Sequence, residues 1–180
     1  MFSHNLSLNL RVVLAILSGL SVVPIAYLEK YNSAVIYGVS LVNSLIGAVF
    51  AVLVMMPYLK RFNVLKVLLL IASSIFIYTL VSELAIKRYD VFFTDISHRT
   101  SIILSGGLGA ILTLLAVQLI IPIRFKKHAY WMVIITGAFG GFIFSYSIDS
   151  NLVVINSIGY IVWQVLVCMT LFYTKENREP

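Results

Sequence analysis

Long apolar segments without charged residues make up almost the whole chain, and short clusters of charged residues separate them. The uncharged runs cover residues 12–28, 31–59, 67–82, 100–123, 129–148 and 150–174. A helix that crosses a bilayer core about 30 Å thick needs about 20 mostly apolar residues. The runs lack the alternation of polar and apolar positions that is typical of a membrane barrel. The pattern therefore predicts an all-α, polytopic integral membrane protein: a bundle of six transmembrane helices.

The uncharged runs and their charged flanks together define six predicted spans in a single transmembrane domain, 1–180. The spans are about 11–28, 34–59, 63–85, 101–123, 129–148 and 151–174, with an outer loop at 86–100. Span one resembles the apolar core of a signal peptide, but its run is longer than the roughly 7–15 residues of such a core. Tyr27, Leu28 and Glu29 also lack the small side chains of a cleavage site. We therefore expect span one to remain in the protein.

Composition and charge refine this architecture. The chain is 61% hydrophobic and 11% charged, against roughly 45–50% and about 25% in soluble domains. The net charge of +6 bears on orientation, and we expect no nucleic-acid partner. One face of the predicted bundle holds nine of the 13 basic residues: Arg11, Lys60, Arg61, Lys66, Arg124, Lys126, Lys127, Lys175 and Arg178. The positive-inside rule then places both termini in the cytoplasm, and the short loops favour a prokaryotic plasma membrane.

Small residues recur at helical spacing in spans four and five. Gly137, Gly141 and Ser145 follow one another every four residues, and Gly106, Gly109 and Ala110 share a face of span four. Helices in a bilayer associate through close backbone packing at such positions. We predict that both sets pack against neighbouring helices, or that they dock a protein partner or a second copy of the chain.

Polar and aromatic residues form one stripe on each of two other spans. Span six carries Asn156, Tyr160, Trp163 and Gln164, and span two carries Tyr37, Asn43 and Ser44. These stripes allow two interpretations. The amides form hydrogen bonds between helices, or both stripes line a cavity in which amides and aromatic rings hold a ligand. No Asp, Glu or His lies in the interior of a span, away from its two ends, so an uncharged or lipid-like ligand fits better than an ion.

The sequence contains no motif that identifies a reaction. Hydrolase, phosphate-binding and CxxC signatures are absent, and the single cysteine, Cys168, forms neither an internal disulfide nor a Cys/His metal site. We predict no catalytic residue, no metal ligand and no cofactor. Acid, base and histidine do come together at the predicted outer surface, in Glu83, Asp95, His98 and Arg99.

Three functional hypotheses follow, and the lipid bilayer is a partner in each. The first is a carrier, or the membrane-embedded binding subunit of a transporter, with its site between spans two and six. In size and helix count the chain resembles the substrate-binding subunits of energy-coupling-factor vitamin transporters. The second is an assembly or regulatory subunit that uses the glycine ridges. The third is a membrane enzyme that acts at the outer cluster.

Overall fold

The computed structural model describes residues 7–31, 35–36, 39–59, 63–87, 97–147 and 153–175. Its helices are α1 Leu8–Leu20, α2 Val22–Tyr31, α3 Leu41–Phe50, α4 Val64–Ser82, α5 His98–Ile120, α6 Ala129–Ser147 and α7 Val153–Thr174. Helix α3 continues through a π-helical turn, Ala51–Met55, and a 3₁₀ turn, Met56–Tyr58, while α4 continues through a π-helical turn, Glu83–Lys87. Strands β1 (Val35–Ile36) and β2 (Val39–Ser40) pair antiparallel, with Val35 opposite Ser40.

Five helical segments in the described part are long and apolar enough to cross a membrane. They are Leu8–Ile25, Val64–Ala85, His98–Ile120, Ala129–Ser147 and Ser157–Thr174. This confirms a helical architecture compatible with a membrane bundle, as the apolar pattern predicts. Large apolar side chains such as Leu119, Ile135 and Phe139 are exposed on the outside of the bundle, where lipid tails would solvate them.

Predicted span two, 34–59, differs from the sequence expectation. Its apolar helix in the structure is the shorter segment Asn43–Met55, because the chain forms β1 and β2 in place of a first helical turn. Val35, Ile36 and Val39 are β-branched, and branching at Cβ favours extended backbone over helix. A window of hydropathy does not register this preference, since these residues are as apolar as leucine.

Side-chain caps mark where several helices begin. The Ser7 hydroxyl accepts from the Leu10 amide at 3.4 Å, Asn63 accepts from Lys66 at 3.1 Å, and Ser97 accepts from Thr100 at 3.3 Å. Each satisfies an amide that has no partner in the first helical turn. The starts of α1, α4 and α5 are therefore encoded locally.

The helices pack in a closed circuit around an apolar centre. Helix α1 packs on α7, and the circuit continues through α6, α5, α4 and α3, whose π-helical turn returns to α1. Phe50, Leu114 and Val167 are fully buried at the centre. Both ends of the described chain lie at one end of the bundle. The contact between the Arg11 guanidinium, near the start of α1, and the Phe172 ring, near the end of α7, shows this. There the Lys126 amide also donates to the Thr174 carbonyl at 2.8 Å.

Candidate functional site

A cavity of about 70 Å³ lies between α4, α5, α6 and α7. It occupies the end of the bundle at which α4 and α6 finish and α5 and α7 begin. Its aromatic walls are Tyr78, Phe144, Tyr160 and Trp163, and its glycine walls are Gly106, Gly109, Gly141 and Gly159. Ile77, Val81, Ser82, Ala85, Ile102 and Ser105 complete the lining. None of these side chains is an Asp, Glu, His, Lys or Arg, so the cavity is uncharged.

Glycine allows the helices that enclose the cavity to approach one another closely. A Cβ added at Gly106 would lie 2.6 Å from the Gly137 carbonyl oxygen, and one at Gly141 would lie 2.8 Å from the Ile102 carbonyl oxygen. Both distances are shorter than a non-bonded contact allows. Helices α5 and α6 therefore meet backbone to backbone, and no larger residue fits at these positions without displacing a helix.

The small residues predicted for packing are all buried. Ala110 packs against Gly137, whereas Gly109 faces Val81 and Trp163. The Ser145 hydroxyl donates to the Phe142 carbonyl within its own helix at 2.7 Å. These six small residues thus lie inside the helix bundle of this chain.

Three aromatic rings from three helices pack together beside the cavity, and two of them, Tyr78 and Trp163, line it. The ring centroids of Phe50 and Tyr78 are 5.5 Å apart, and Trp163 lies 5.8 Å from each of them. The Trp163 Nε1–H donates to the Gly106 carbonyl oxygen at 3.0 Å. Ring packing and this hydrogen bond together fix the indole, which is the arrangement that a buried tryptophan requires.

Tyr78 and Gln164 form a polar pair beside the cavity. The Gln164 Nε2 donates to the Tyr78 hydroxyl oxygen at 2.9 Å, and Gln164 is fully buried. Its Oε1 has no hydrogen-bond partner among the described residues. In the interior of a bilayer, a polar group without a hydrogen-bond partner is energetically costly.

The structure brings together only part of the predicted ligand-binding set. Tyr160 and Trp163 line the cavity. Gln164 does not line it, but it bonds to Tyr78, which does. Asn43 and Ser44 are half-buried on α3 and do not line it. Tyr37 and the Asn156 side chain lie outside the described residues. The helices that enclose the cavity with span six are therefore spans three, four and five, whereas Phe50 of span two packs behind it against Tyr78 and Trp163.

Sequence reasoning missed Phe50, Tyr78 and Phe144. Each lies in a span rich in aromatic and aliphatic residues, where a ring that faces protein looks the same as a ring that faces lipid. Tyr78 did carry a usable signal, because a tyrosine far from either interface needs a partner for its hydroxyl. Its partner, Gln164, is 86 positions away along the chain.

Arg11 has a second role that its position in the sequence does not reveal. The charge count treats it as an orientation residue, yet only 4% of the side chain is exposed. Its guanidinium lies 4.3 Å from the Tyr58 ring centroid and 5.4 Å from that of Phe172. Such cation–π contacts each stabilise by about 0.5–2 kcal/mol. Arg11 therefore ties α1 to the end of α3 and to α7.

The predicted outer cluster is only partly described. Ser101 donates to the Leu84 carbonyl at 3.0 Å, which joins α5 to the π-helical end of α4. The Arg99 guanidinium lies 4.9 Å from the Tyr146 ring centroid, and Asp95 lies outside the described residues. Within the described part, no group of three His, Cys, Asp or Glu side chains is placed to hold a metal ion.

No family model, curated protein or solved structure matches this chain. The cavity and the residues around it are therefore the features that bear on function.

Proposed function

We propose that this protein is a carrier, or the membrane-embedded binding subunit of a larger transporter, for an uncharged or lipid-like small molecule. The observation that supports this function is the cavity enclosed by α4, α5, α6 and α7. Aromatic rings and glycine backbone form most of its wall, with a few hydroxyl groups among them. Small-molecule sites have this composition, in which apolar walls supply affinity and a few polar groups set orientation.

The chemistry of the walls limits the charge of the ligand. A charged group in this cavity would lose its hydration and would meet no side chain of opposite charge, which is very costly at low dielectric. An uncharged molecule avoids that cost and gains from burying its apolar surface. The same argument disfavours an ion-conducting role for this cavity.

The volume of the cavity limits the shape of the ligand. About 70 Å³ is well below the roughly 300–1,000 Å³ of sites that enclose drug-sized molecules, and below the roughly 150 Å³ of an engineered cavity that binds benzene. A slender group, such as part of an acyl chain, fits this volume. We expect the remainder of a lipid-like ligand to stay outside the cavity.

The proposal includes a topology and a location. We propose that Asn43–Met55 and its flanking residues make a sixth crossing, that both termini are cytoplasmic, and that the membrane is a prokaryotic plasma membrane. Two observations support the orientation. Both ends of the described chain lie at one end of the bundle, and the basic residues concentrate at that same end.

Photolabelling tests the binding function. The protein is reconstituted in phosphatidylcholine vesicles with a fatty alcohol that carries a diazirine, irradiated and mapped by peptide mass spectrometry. We expect labels on cavity residues such as Val81 and Phe144. Gly109→Leu fills the cavity and should lower this labelling about tenfold or more, equivalent to about 1.4 kcal/mol or more. Leu108→Phe, on the exposed side of the same helix, should leave it unchanged. Equal labelling of both variants would contradict the proposal.

A further inference from the structure

We infer that Tyr78 donates a hydrogen bond to an uncharged oxygen atom of the ligand, and that Gln164 positions the Tyr78 hydroxyl for this contact. This inference rests on the proposed function, since it assigns a recognition group within the same cavity. The chemical class it identifies is a molecule with a hydroxyl, ether or carbonyl oxygen on an apolar body.

The first step concerns the hydrogen of the Tyr78 hydroxyl. The phenol oxygen accepts from Gln164 Nε2 at 2.9 Å, so its own hydrogen must point to a different acceptor. Within the described part of the chain, the bond from Gln164 is the one hydrogen bond that this hydroxyl makes. Tyr78 lines the cavity, and a ligand oxygen there would accept the remaining hydrogen.

The second step concerns Gln164, which is fully buried and whose Oε1 has no partner among the described residues. If the amide is turned over, Tyr78 donates to Oε1 and both amide hydrogens then need acceptors. With Nε2 as the donor to Tyr78, the phenol hydrogen has no acceptor among the described residues. A buried donor without an acceptor is costly in a bilayer, and an acceptor supplied by the ligand removes that cost.

The third step concerns the rigidity of the pair. The Tyr78 ring is packed against Phe50 at 5.5 Å and Trp163 at 5.8 Å between centroids. The Trp163 N–H is already bonded to the Gly106 carbonyl at 3.0 Å, so the indole supplies a surface and no free donor. Tyr78 is therefore an aromatic group with a positioned hydrogen to offer, and binding needs little rearrangement of it.

Three photoreactive probes of one chain length test this inference in phosphatidylcholine vesicles: a diazirine-bearing fatty alcohol, its methyl ether, and the corresponding hydrocarbon. The ether keeps the acceptor oxygen and lacks the hydroxyl hydrogen. We expect the alcohol and the ether to label the wild-type cavity about tenfold more than the hydrocarbon does. Tyr78→Phe should reduce both to the level of the hydrocarbon while the labelling by the hydrocarbon stays unchanged.

Two further variants keep the test decisive. Tyr58→Phe removes a tyrosine hydroxyl at the opposite end of the bundle, outside the cavity lining, and should keep the preference for oxygen. Gln164→Met should weaken the preference, because it leaves the Tyr78 hydroxyl without its positioning partner, and it replaces Tyr78→Phe if that variant does not fold.

The outcomes separate the two proposals. If the cavity is labelled in a manner that Gly109→Leu abolishes, but the three probes label it equally, the inference fails and the proposed function stands. Labelling by the alcohol alone would also overturn the inference, because the ligand would then be the donor. If no probe labels the cavity, the proposed function itself fails.

Discussion

Some of the polar residues inside this bundle lie where another helix supplies a partner. Trp163 reaches the Gly106 carbonyl at 3.0 Å, and the hydroxyls of Thr136 and Thr170 lie 3.1 Å apart between α6 and α7. Lipid tails offer no hydrogen-bond partner, so such contacts hold particular helix pairs together. Each typically stabilises by about 0.6–2 kcal/mol.

Cys168 provides a test at the scale of one residue. It is 1% exposed, and its Sγ donates to the Arg11 carbonyl oxygen at 3.5 Å. We expect N-ethylmaleimide to leave the thiol of the folded wild-type protein unmodified in mild detergent and to modify it fully after denaturation. Ser97→Cys adds an exposed thiol as a control, and intact mass spectrometry should show that it reacts at once. Rapid double modification of the folded Ser97→Cys protein would contradict the buried position of Cys168.

At the scale of helices, the pair α5 and α6 shows how glycine determines geometry. Gly106 lies opposite Gly137 and Gly141, and a Cβ at any of these three positions would approach backbone or Cβ atoms of the other helix. The contact therefore depends on the absence of side chains. It also places the Gly106 carbonyl where Trp163 can bond to it.

Gly106→Ala tests this helix contact. The new methyl group would lie 2.6 Å from the Gly137 carbonyl oxygen, so the helices must separate, and we expect a loss of about 1–3 kcal/mol in the free energy of unfolding. Leu104→Ala removes a side chain that is 46% exposed and should change stability by about 0.5 kcal/mol or less. Equilibrium unfolding in mixed dodecyl sulfate micelles measures both. A Gly106→Ala protein as stable as Leu104→Ala would show that α5 and α6 are not in close contact.

The helices of spans four and five occupy nearly the whole of their apolar runs, whereas α3 begins well inside the run of span two. Spans four and five are uninterrupted apolar runs, so their helices follow from hydropathy and capping. Span two begins with β-branched residues around Gly38, and local backbone preference competes there with a hydropathy that is equally high. The length of its helix is therefore decided by more than apolar content.

At the scale of the whole molecule, alternating helix directions place connected groups at the same end. Arg11, Tyr58 and Phe172 are far apart in the sequence and meet at one end. The loop before α6 joins them through the bond from Lys126 to Thr174, 2.8 Å long. The opposite end contains Ser97 and the cavity.

Thiol labelling in a Cys168→Ala background tests this arrangement in a membrane. Ser7→Cys and Lys127→Cys should react with a membrane-impermeant maleimide from one side, and Ser97→Cys from the other, because the proposed crossings by α1, α3 and α4 separate Ser7 from Ser97 and α5 separates Ser97 from Lys127. With the proposed orientation, the first two react only in inside-out vesicles. Reaction of Ser97→Cys from the same side as Lys127→Cys would contradict the bundle, whereas a complete exchange of sides would reverse the orientation alone.

The cavity shows why a site of this kind is hard to predict from sequence. Of the stripe on span six, Tyr160 and Trp163 line the cavity and Gln164 is buried beside it. The sequence favours span two as the helix that faces this stripe, because span two carries a second stripe of polar and aromatic residues. In the structure the partners are a tyrosine, a phenylalanine and several glycines, whose sequence signals are shared with ordinary membrane packing.

The sequence by itself determined that the chain is helical and apolar enough for a membrane, because burying backbone polar groups in lipid requires continuous apolar helices and such runs are visible directly. The recurring small residues of spans four and five are also visible in the sequence. Only the tertiary structure decided that Gly106 packs on Gly137 and Gly141, that Tyr78 meets Gln164, and that a cavity remains between α4 and α7. Those outcomes depend on which helix faces which neighbour. Because apolar residues occur on every face of each span, the sequence contains little information about which helix faces which neighbour.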